Sequence, residues 1–127
     1  MIFDDNRYPY DNRQVPMPKK ATSVSSELAE TKGQTASYDA KTRKVSWVIK
    51  KFQGESEHTL RTKISLSTAH TTAVRKEIGP ISMSFEVPMF NPSGLQVRYL
   101  RVEADADYNP YRWVRYITRS SSYVCRC

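Results

Sequence analysis

Apolar and polar residues alternate along several short stretches of the chain with a period of two residues. One stretch has the apolar residues Val45, Trp47 and Ile49 at every second position, and residues 60–66 and 81–87 repeat the pattern. Successive side chains of a β-strand point to opposite faces of a sheet, so this period predicts strands with one apolar face. The pattern favours an all-β fold, most simply an antiparallel β-sandwich, and places Trp47 in its core.

Turn residues separate the predicted strands. Gly54 lies between the strand that ends near Lys50 and the strand that begins at Leu60, so these two strands are expected to form a hairpin. Residues 67–79 form a polar stretch predicted to be a loop, and no segment shows the 3.6-residue period of a helix. Further strands are predicted for residues 95–103, 112–118 and 123–126.

The segment from Leu95 to Val102 differs from the other predicted strands because both of its faces are apolar. Leu95, Val97 and Tyr99 would lie on one face, and Leu100 and Val102 on the other. Such a strand is expected to be buried on both sides or to line a binding groove on one of them.

Length and hydropathy limit the domain organisation. The chain has 127 residues, 39% of them hydrophobic, with a mean hydropathy of -0.64. This predicts one soluble domain without a membrane span. The N-terminus has neither the basic region nor the apolar region of a secretory signal, which favours a cytoplasmic location. The first part of residues 1–18 contains prolines among polar residues and is expected to be disordered.

The charge of the chain indicates an anionic partner. Twenty lysines and arginines against 13 acidic residues give a net charge of +7, which would attract nucleic acid, acidic lipid or acidic peptides. One group of cations flanks the strand around Trp47, although such residues can also be plain solvated charges. A basic β-module that binds acidic phospholipid or nucleic acid is therefore one alternative function. The members of this group are Lys41, Arg43, Lys44, Lys50 and Lys51.

Residues suited to catalysis are few and scattered. His58 and His70 lie in or beside polar loops without histidine, cysteine or carboxylate partners at ligand spacing. The four glycines form no phosphate-binding loop. Cys125 and Cys127 are too close in a strand for an unstrained disulfide and are expected to be reduced, partly buried thiols. The sequence predicts a protein without enzymatic activity, cofactor or metal.

Three blocks in the last third of the chain carry a family resemblance. They read ISMSFEVP from Ile81, PSGLQVRYL from Pro92 and RWVRYI from Arg112. In this order and spacing they resemble the closing strands of the mu homology domain, the cargo-binding domain of adaptor-complex medium (mu) subunits.

Earlier segments extend the resemblance toward the N-terminus. They read GQT from Gly33, SWVIKK from Ser46 and SEHTLR from Ser56. The last of these, together with YNPYRWVRY from Tyr108, is most similar to the mu subunit of adaptor protein complex 4. Residues 15–127 are thus expected to be a partial mu homology domain, while residues 1–14 match nothing recognisable and are expected to form a disordered N-terminus.

The resemblance implies a role in intracellular, vesicle-mediated protein transport. Mu subunits belong to heterotetrameric coats and bind tyrosine-based sorting signals in the cytoplasmic tails of membrane cargo. It therefore implies other adaptor subunits and sorting peptides as partners, and no nucleic acid. It also implies a cytoplasmic location, peripheral on trans-Golgi network, endosomal or coated-vesicle membranes, including clathrin-coated ones.

The resemblance also implies a binding site. The cargo peptide would lie extended beside the strand Arg112–Arg115, with Trp113 and Arg115 as walls of the tyrosine pocket. Val97, Leu100 and Val114 would form the hydrophobic pocket for the last residue of the signal. In the family, residues from the first strands of the domain complete the tyrosine pocket. This chain begins after them, so it is expected to be a truncated form that carries half of the site.

Overall fold

The computed structural model describes residues 10–105, 107 and 110–126, which form seven strands and one short helix. The predicted all-β architecture is confirmed, and every strand pair is antiparallel. No helix within the described part of the chain is long and apolar enough to cross a bilayer. The elements are β1 (Tyr10–Pro16), β2 (Ala21–Leu28), β3 (Gln34–Asp39), β4 (Lys44–Lys50), β5 (Leu60–Leu66), α1 (Thr72–Lys76), β6 (Ile81–Pro88) and β7 (Ile117–Cys125).

The strands form two sheets. The larger has five strands in the order β3-β4-β1-β6-β7, and the smaller pairs β2 with β5. The predicted hairpin between β4 and β5 is wrong, because β4 pairs with β1 and β3 while β5 pairs with β2. The short connection between β3 and β4 brings those two strands together at a smaller loss of chain entropy than the longer connection through Gly54 would.

The turn between β3 and β4 is stabilised by the side chain of Asp39. Its carboxylate accepts hydrogen bonds from the Lys41 main-chain N–H and from the Thr42 hydroxyl, each at 2.9 Å. These bonds, the one from Lys41 foremost, lower the pKa of Asp39 below its ordinary value of 3.8 because they favour the charged form. Arg43 completes the turn in the left-handed region, with φ of 53°.

The core lies on one face of β4. Val45 and Ile49 are 1% exposed and Trp47 is 8% exposed, which confirms the predicted core role of Trp47. The strand register places Arg13 of β1 and Ala36 of β3 on either side of Trp47. Full burial of a valine or isoleucine side chain contributes about 1.5–3 kcal/mol, so this face anchors the larger sheet.

Two further sequence predictions differ from the structure, one in the N-terminal region and one in the central region. Residues 10–14 form most of β1, although disorder was expected through residue 14; residues 1–9 lie outside the described residues. The segment is polar, but main-chain pairing with β4 on one side and β6 on the other defines it as a strand. Helix α1 occupies part of the predicted loop, where Thr71 caps it and Val74 is buried. Five residues are too few to produce a visible helical period.

The C-terminal region also departs from the predictions. Residues 95–103 and 112–116 form no strand, and β7 begins only at Ile117. Among the described residues no strand pairs with either segment, so their main chains lack the ladder partners that would order them. Cys125 is a free and exposed thiol, not a partly buried one, and Cys127 lies outside the described residues.

Candidate functional site

The residues of the predicted cargo site lie in the irregular chain between β6 and β7. Trp113 is 65% exposed, and Val97, Leu100 and Val114 are also exposed. Arg112 is exposed and Arg115 is half-buried. The apolar members therefore present their side chains to solvent, the condition in which a peptide ligand could cover them.

Hydrogen bonds hold the two segments of the predicted site next to each other. The Val97 main-chain N–H donates to the Tyr116 hydroxyl at 2.8 Å, and the Arg112 guanidinium donates to the Leu100 carbonyl at 3.0 Å. The Tyr116 carbonyl accepts from the Met89 N–H at 2.7 Å, which ties the second segment to the end of β6. The structure thus brings residues 97–100 and 112–116 together, although they are separated along the chain.

A compact turn sets the start of the first segment. The Asn91 side-chain oxygen accepts from the Ser93 N–H at 3.2 Å and from its hydroxyl at 2.7 Å. Gly94 adopts a left-handed conformation, φ 69°, that L side chains rarely take. This turn directs residues 95–100 toward Tyr116. The sequence NPSG from Asn91 is typical of such a turn.

The predicted lipid-contact residues are divided between the two ends of β4. Lys41, Arg43 and Lys44 lie at the turn with β3, whereas Lys50 and Lys51 follow at the opposite end of the strand. The six residue steps of extended chain from Lys44 to Lys50 span about 20 Å. The five cations flank one strand, as the sequence indicates, but they do not form a single patch.

The structure adds two lysines to the group near the β3–β4 turn. The Arg43 guanidinium donates to the Lys19 carbonyl at 2.9 Å, and the Arg43 carbonyl accepts from the Met17 N–H at 2.8 Å. These bonds bring the β1–β2 connection, with Lys19 and Lys20, against the turn. Sequence reasoning missed both, although the lysine pair directly after Pro18 is a visible signal. The turn cluster consists of Lys19, Lys20, Lys41, Arg43 and Lys44.

A buried polar relay was also missed. The Trp47 indole N–H donates to Gln34 Oε1 at 3.1 Å, and Gln34 Nε2 lies 2.9 Å from His58 Nδ1. Gln34 is 6% exposed, and the Glu30 carboxylate is 4.0 Å from His58. His58 therefore has a structural partner despite its position in a polar loop. Within the described part of the chain, no group of three or more histidine, cysteine or acidic side chains could hold a metal ion.

Comparison with known proteins identifies the family. Residues 13–127 match the sequence profile of the adaptor complexes medium subunit family. The chain belongs to this family. The match begins within β1 and covers both sheets and both segments of the predicted cargo site.

Individual relatives in the family belong to several adaptor complexes. The chain is 43% identical over 115 residues to the AP-4 complex subunit mu of Arabidopsis thaliana, covering 89% of this chain and 26% of that protein. It is 39% identical over 119 residues to the AP-2 complex subunit mu of Caenorhabditis elegans, covering 90% and 26%. It is 37% identical over 112 residues to the AP-1 complex subunit mu-2 of Rattus norvegicus, covering 88% and 26%. The chain thus spans about a quarter of the length of these relatives.

Proposed function

We propose that this chain is part of the cargo-binding region of an adaptor-complex medium subunit and contributes to recognition of tyrosine-based sorting signals. The observation that carries the proposal is the exposed apolar and aromatic surface of residues 97–100 and 112–116, which two hydrogen bonds hold together. Family membership supports a role in a vesicle coat. The partners would be other adaptor subunits and cargo tails, at trans-Golgi network, endosomal or coated-vesicle membranes. The role requires no catalysis.

The proposed mechanism is strand addition by the cargo peptide. An extended peptide beside Arg112–Arg115 would pair its main chain with this segment, which lies outside the strands of both sheets, and alternate side chains would enter pockets. The tyrosine ring would pack on Trp113 and on the guanidinium plane of Arg115. The last hydrophobic residue of the signal would contact Val97, Leu100 and Val114. Binding would then order a strand that the unbound chain lacks.

Titration calorimetry with a Tyr-x-x-Leu peptide and an Ala-x-x-Leu peptide tests the proposal. The measurement is made on this chain and, in parallel, on a complete medium subunit that carries the same residues. Trp113→Ala should abolish binding of the tyrosine peptide, whereas Tyr111→Ala, at another exposed ring in the same segment, should leave it unchanged. Val97→Ser should remove the preference for a hydrophobic last residue, and Val102→Ser is its matched control. Undiminished binding by both the Trp113 and the Val97 variants would refute the assignment of the site.

Arg115 provides a finer test of the tyrosine pocket. If its guanidinium stacks on the ring, Arg115→Ala should weaken tyrosine and phenylalanine peptides equally. If its guanidinium instead donates a hydrogen bond to the phenol oxygen, Arg115→Ala should weaken the tyrosine peptide more than the phenylalanine peptide. Equal affinity of the variant and the unaltered protein for both peptides would remove Arg115 from the site.

The turn cluster supports a second function, contact with an acidic membrane surface. Its five cations come from two connections that Arg43 links by hydrogen bonds. A lysine or arginine near an anionic bilayer contributes about 1 kcal/mol. Replacement of Lys41, Arg43 and Lys44 by glutamine should weaken binding to phosphatidylserine vesicles.

Changes at the far end of β4 provide the control for the membrane test. Lys50→Gln with Lys51→Gln should have a smaller effect than Lys41→Gln with Lys44→Gln, which removes the same number of charges from the turn cluster. Equal losses would mean that overall charge, not the cluster, drives binding. Tighter binding to single-stranded DNA than to vesicles would favour the nucleic-acid alternative, although Trp47 is buried and provides no stacking surface there.

A further inference from the structure

A groove lies between β5 and α1, on the smaller sheet and apart from the proposed cargo site. It has a volume of about 220 Å³ and is open to solvent on one side. Its walls are mostly aliphatic, and Arg75 adds a positive charge to them. The lining residues include Thr62, Ile64, Leu66, Val74, Arg75 and Ile78. The volume is suited to a single apolar side chain rather than to a large ligand.

The same residues of β5 form an open edge of the sheet. Among the described strands, β5 pairs only with β2. The carbonyls of Thr59 and Ser65 accept hydrogen bonds from the β2 side, and the Ser67 N–H donates to that side. Main-chain groups of successive residues in a strand point to alternate sides, so those of Thr62 and Ile64 point away from β2. An incoming strand would find donors and acceptors there.

The charges around this edge are predominantly positive. Arg61 and Lys63 are exposed on the outer face of β5, and Arg75 and Lys76 lie on α1. The nearby Glu77 carboxylate already accepts a hydrogen bond from the Lys19 N–H. Glu27 lies opposite Arg61 in the register of the β2–β5 pair and offsets one charge. The remaining cations would attract an acidic partner and would repel the same edge of a second copy of this chain.

We propose that the free edge of β5 binds an extended acidic peptide of another protein. The peptide adds as a third strand to the β2–β5 sheet and inserts one aliphatic or aromatic side chain into the groove. Main-chain hydrogen bonds to Thr62 and Ile64 provide the pairing, and the groove provides side-chain selectivity. The alternating donors and acceptors of this edge match those of an extended peptide backbone. The site shares no residue with the proposed tyrosine-signal site, which lies in the chain between β6 and β7.

A hexapeptide of alternating glutamate and leucine is the probe. Nuclear magnetic resonance on the complete chain should show shifts of the Thr62, Ile64 and Leu66 amides and slower exchange of their hydrogens. The same peptide with its pairing amides N-methylated, and a peptide of alternating lysine and leucine, should bind far more weakly. Equal binding by the methylated peptide would exclude strand addition. Equal binding by the lysine peptide would exclude charge selection, and shifts confined to residues 95–116 would place the probe at the other site.

Charge variants test the same proposal while leaving the aliphatic walls of the groove unchanged. Lys63→Gln combined with Arg75→Gln should weaken the glutamate–leucine peptide about fivefold, as expected for two exposed charge pairs. Arg126→Gln combined with Lys32→Gln removes the same number of positive charges at exposed positions elsewhere and should leave the affinity unchanged. Equal losses for the two double variants would overturn the assignment. If the unaltered chain bound the glutamate–leucine peptide but no Tyr-x-x-Leu peptide, the proposed cargo function would be rejected and the proposal for the β5 edge would stand.

Discussion

The carboxamide of Gln34 links two side chains that the core depends on, which makes Gln34→Leu an informative substitution. An indole N–H can only donate, so Trp47 fixes Gln34 Oε1 as its acceptor and leaves Nε2 as the donor toward His58 Nδ1. The proton of neutral His58 then resides on Nε2, which lies 3.4 Å from the Ser56 hydroxyl. Leucine has a similar size but offers neither the acceptor nor the donor.

The cost of Gln34→Leu follows from which groups lose their partners. The Trp47 N–H is buried, and a buried donor without a partner costs about 1–3 kcal/mol. The side chain of His58 is 12% exposed, so we expect the loss of its partner to cost less than that of the Trp47 N–H. The similar volume of leucine limits any packing change. We expect the free energy of unfolding to fall by about 2 kcal/mol, close to the middle of the range for one orphaned group.

Urea denaturation followed by far-ultraviolet circular dichroism measures this change. Gln96→Leu, at an exposed position, is the matched control and should change stability by less than about 0.5 kcal/mol. Trp47→Phe removes the indole donor. Its effect on the free energy of unfolding should therefore be about 1 kcal/mol smaller in the Gln34→Leu variant than in the unaltered protein. A loss below about 0.5 kcal/mol for Gln34→Leu, or strictly additive effects, would refute the role assigned to the relay.

Three further predictions concern the sheets and their turns. Gly33→Ala should lower the free energy of unfolding by more than about 1 kcal/mol in urea denaturation, because φ is 71° and the new Cβ would lie 3.0 Å from the Lys50 carbonyl oxygen. Gly54→Ala, with open space around the new Cβ, is the control in the same assay. Ile49→Ala should cost about 2–5 kcal/mol in the same assay, and a cost under 1 kcal/mol would contradict its place in the core. The lowered pKa of Asp39 means that its contribution to stability is present above pH 3.8 and is lost as the pH falls through its folded-state pKa. Asp39→Asn should therefore remove part of the pH dependence of the thermal midpoint below pH 4, and an unchanged profile would contradict the turn hydrogen bonds.

Part of the candidate site could be predicted from short sequence blocks. The blocks at Pro92 and Arg112 predicted which segments would carry the cargo site, and the structure places these segments side by side. Their strand conformation was not realised, because a strand requires a main-chain partner and the described residues provide none for either segment. The roles of Trp113 and Arg115 in binding remain predictions. The turn cluster needed the fold, since Lys19 and Arg43 are far apart along the chain and meet through one hydrogen bond.

The sequence by itself determined the strand class, the apolar face of β4 and the family resemblance, because each depends on the identity and spacing of neighbouring residues. Only the tertiary structure decided that β4 pairs with β1 and not with β5, and that the polar residues 10–14 form an inner strand. Strand partners are chosen by hydrogen bonds and packing between distant segments, which no local period encodes. The same long-range contacts leave the edge of β5 open beside its groove and bring Lys19 against Arg43 at the β3–β4 turn.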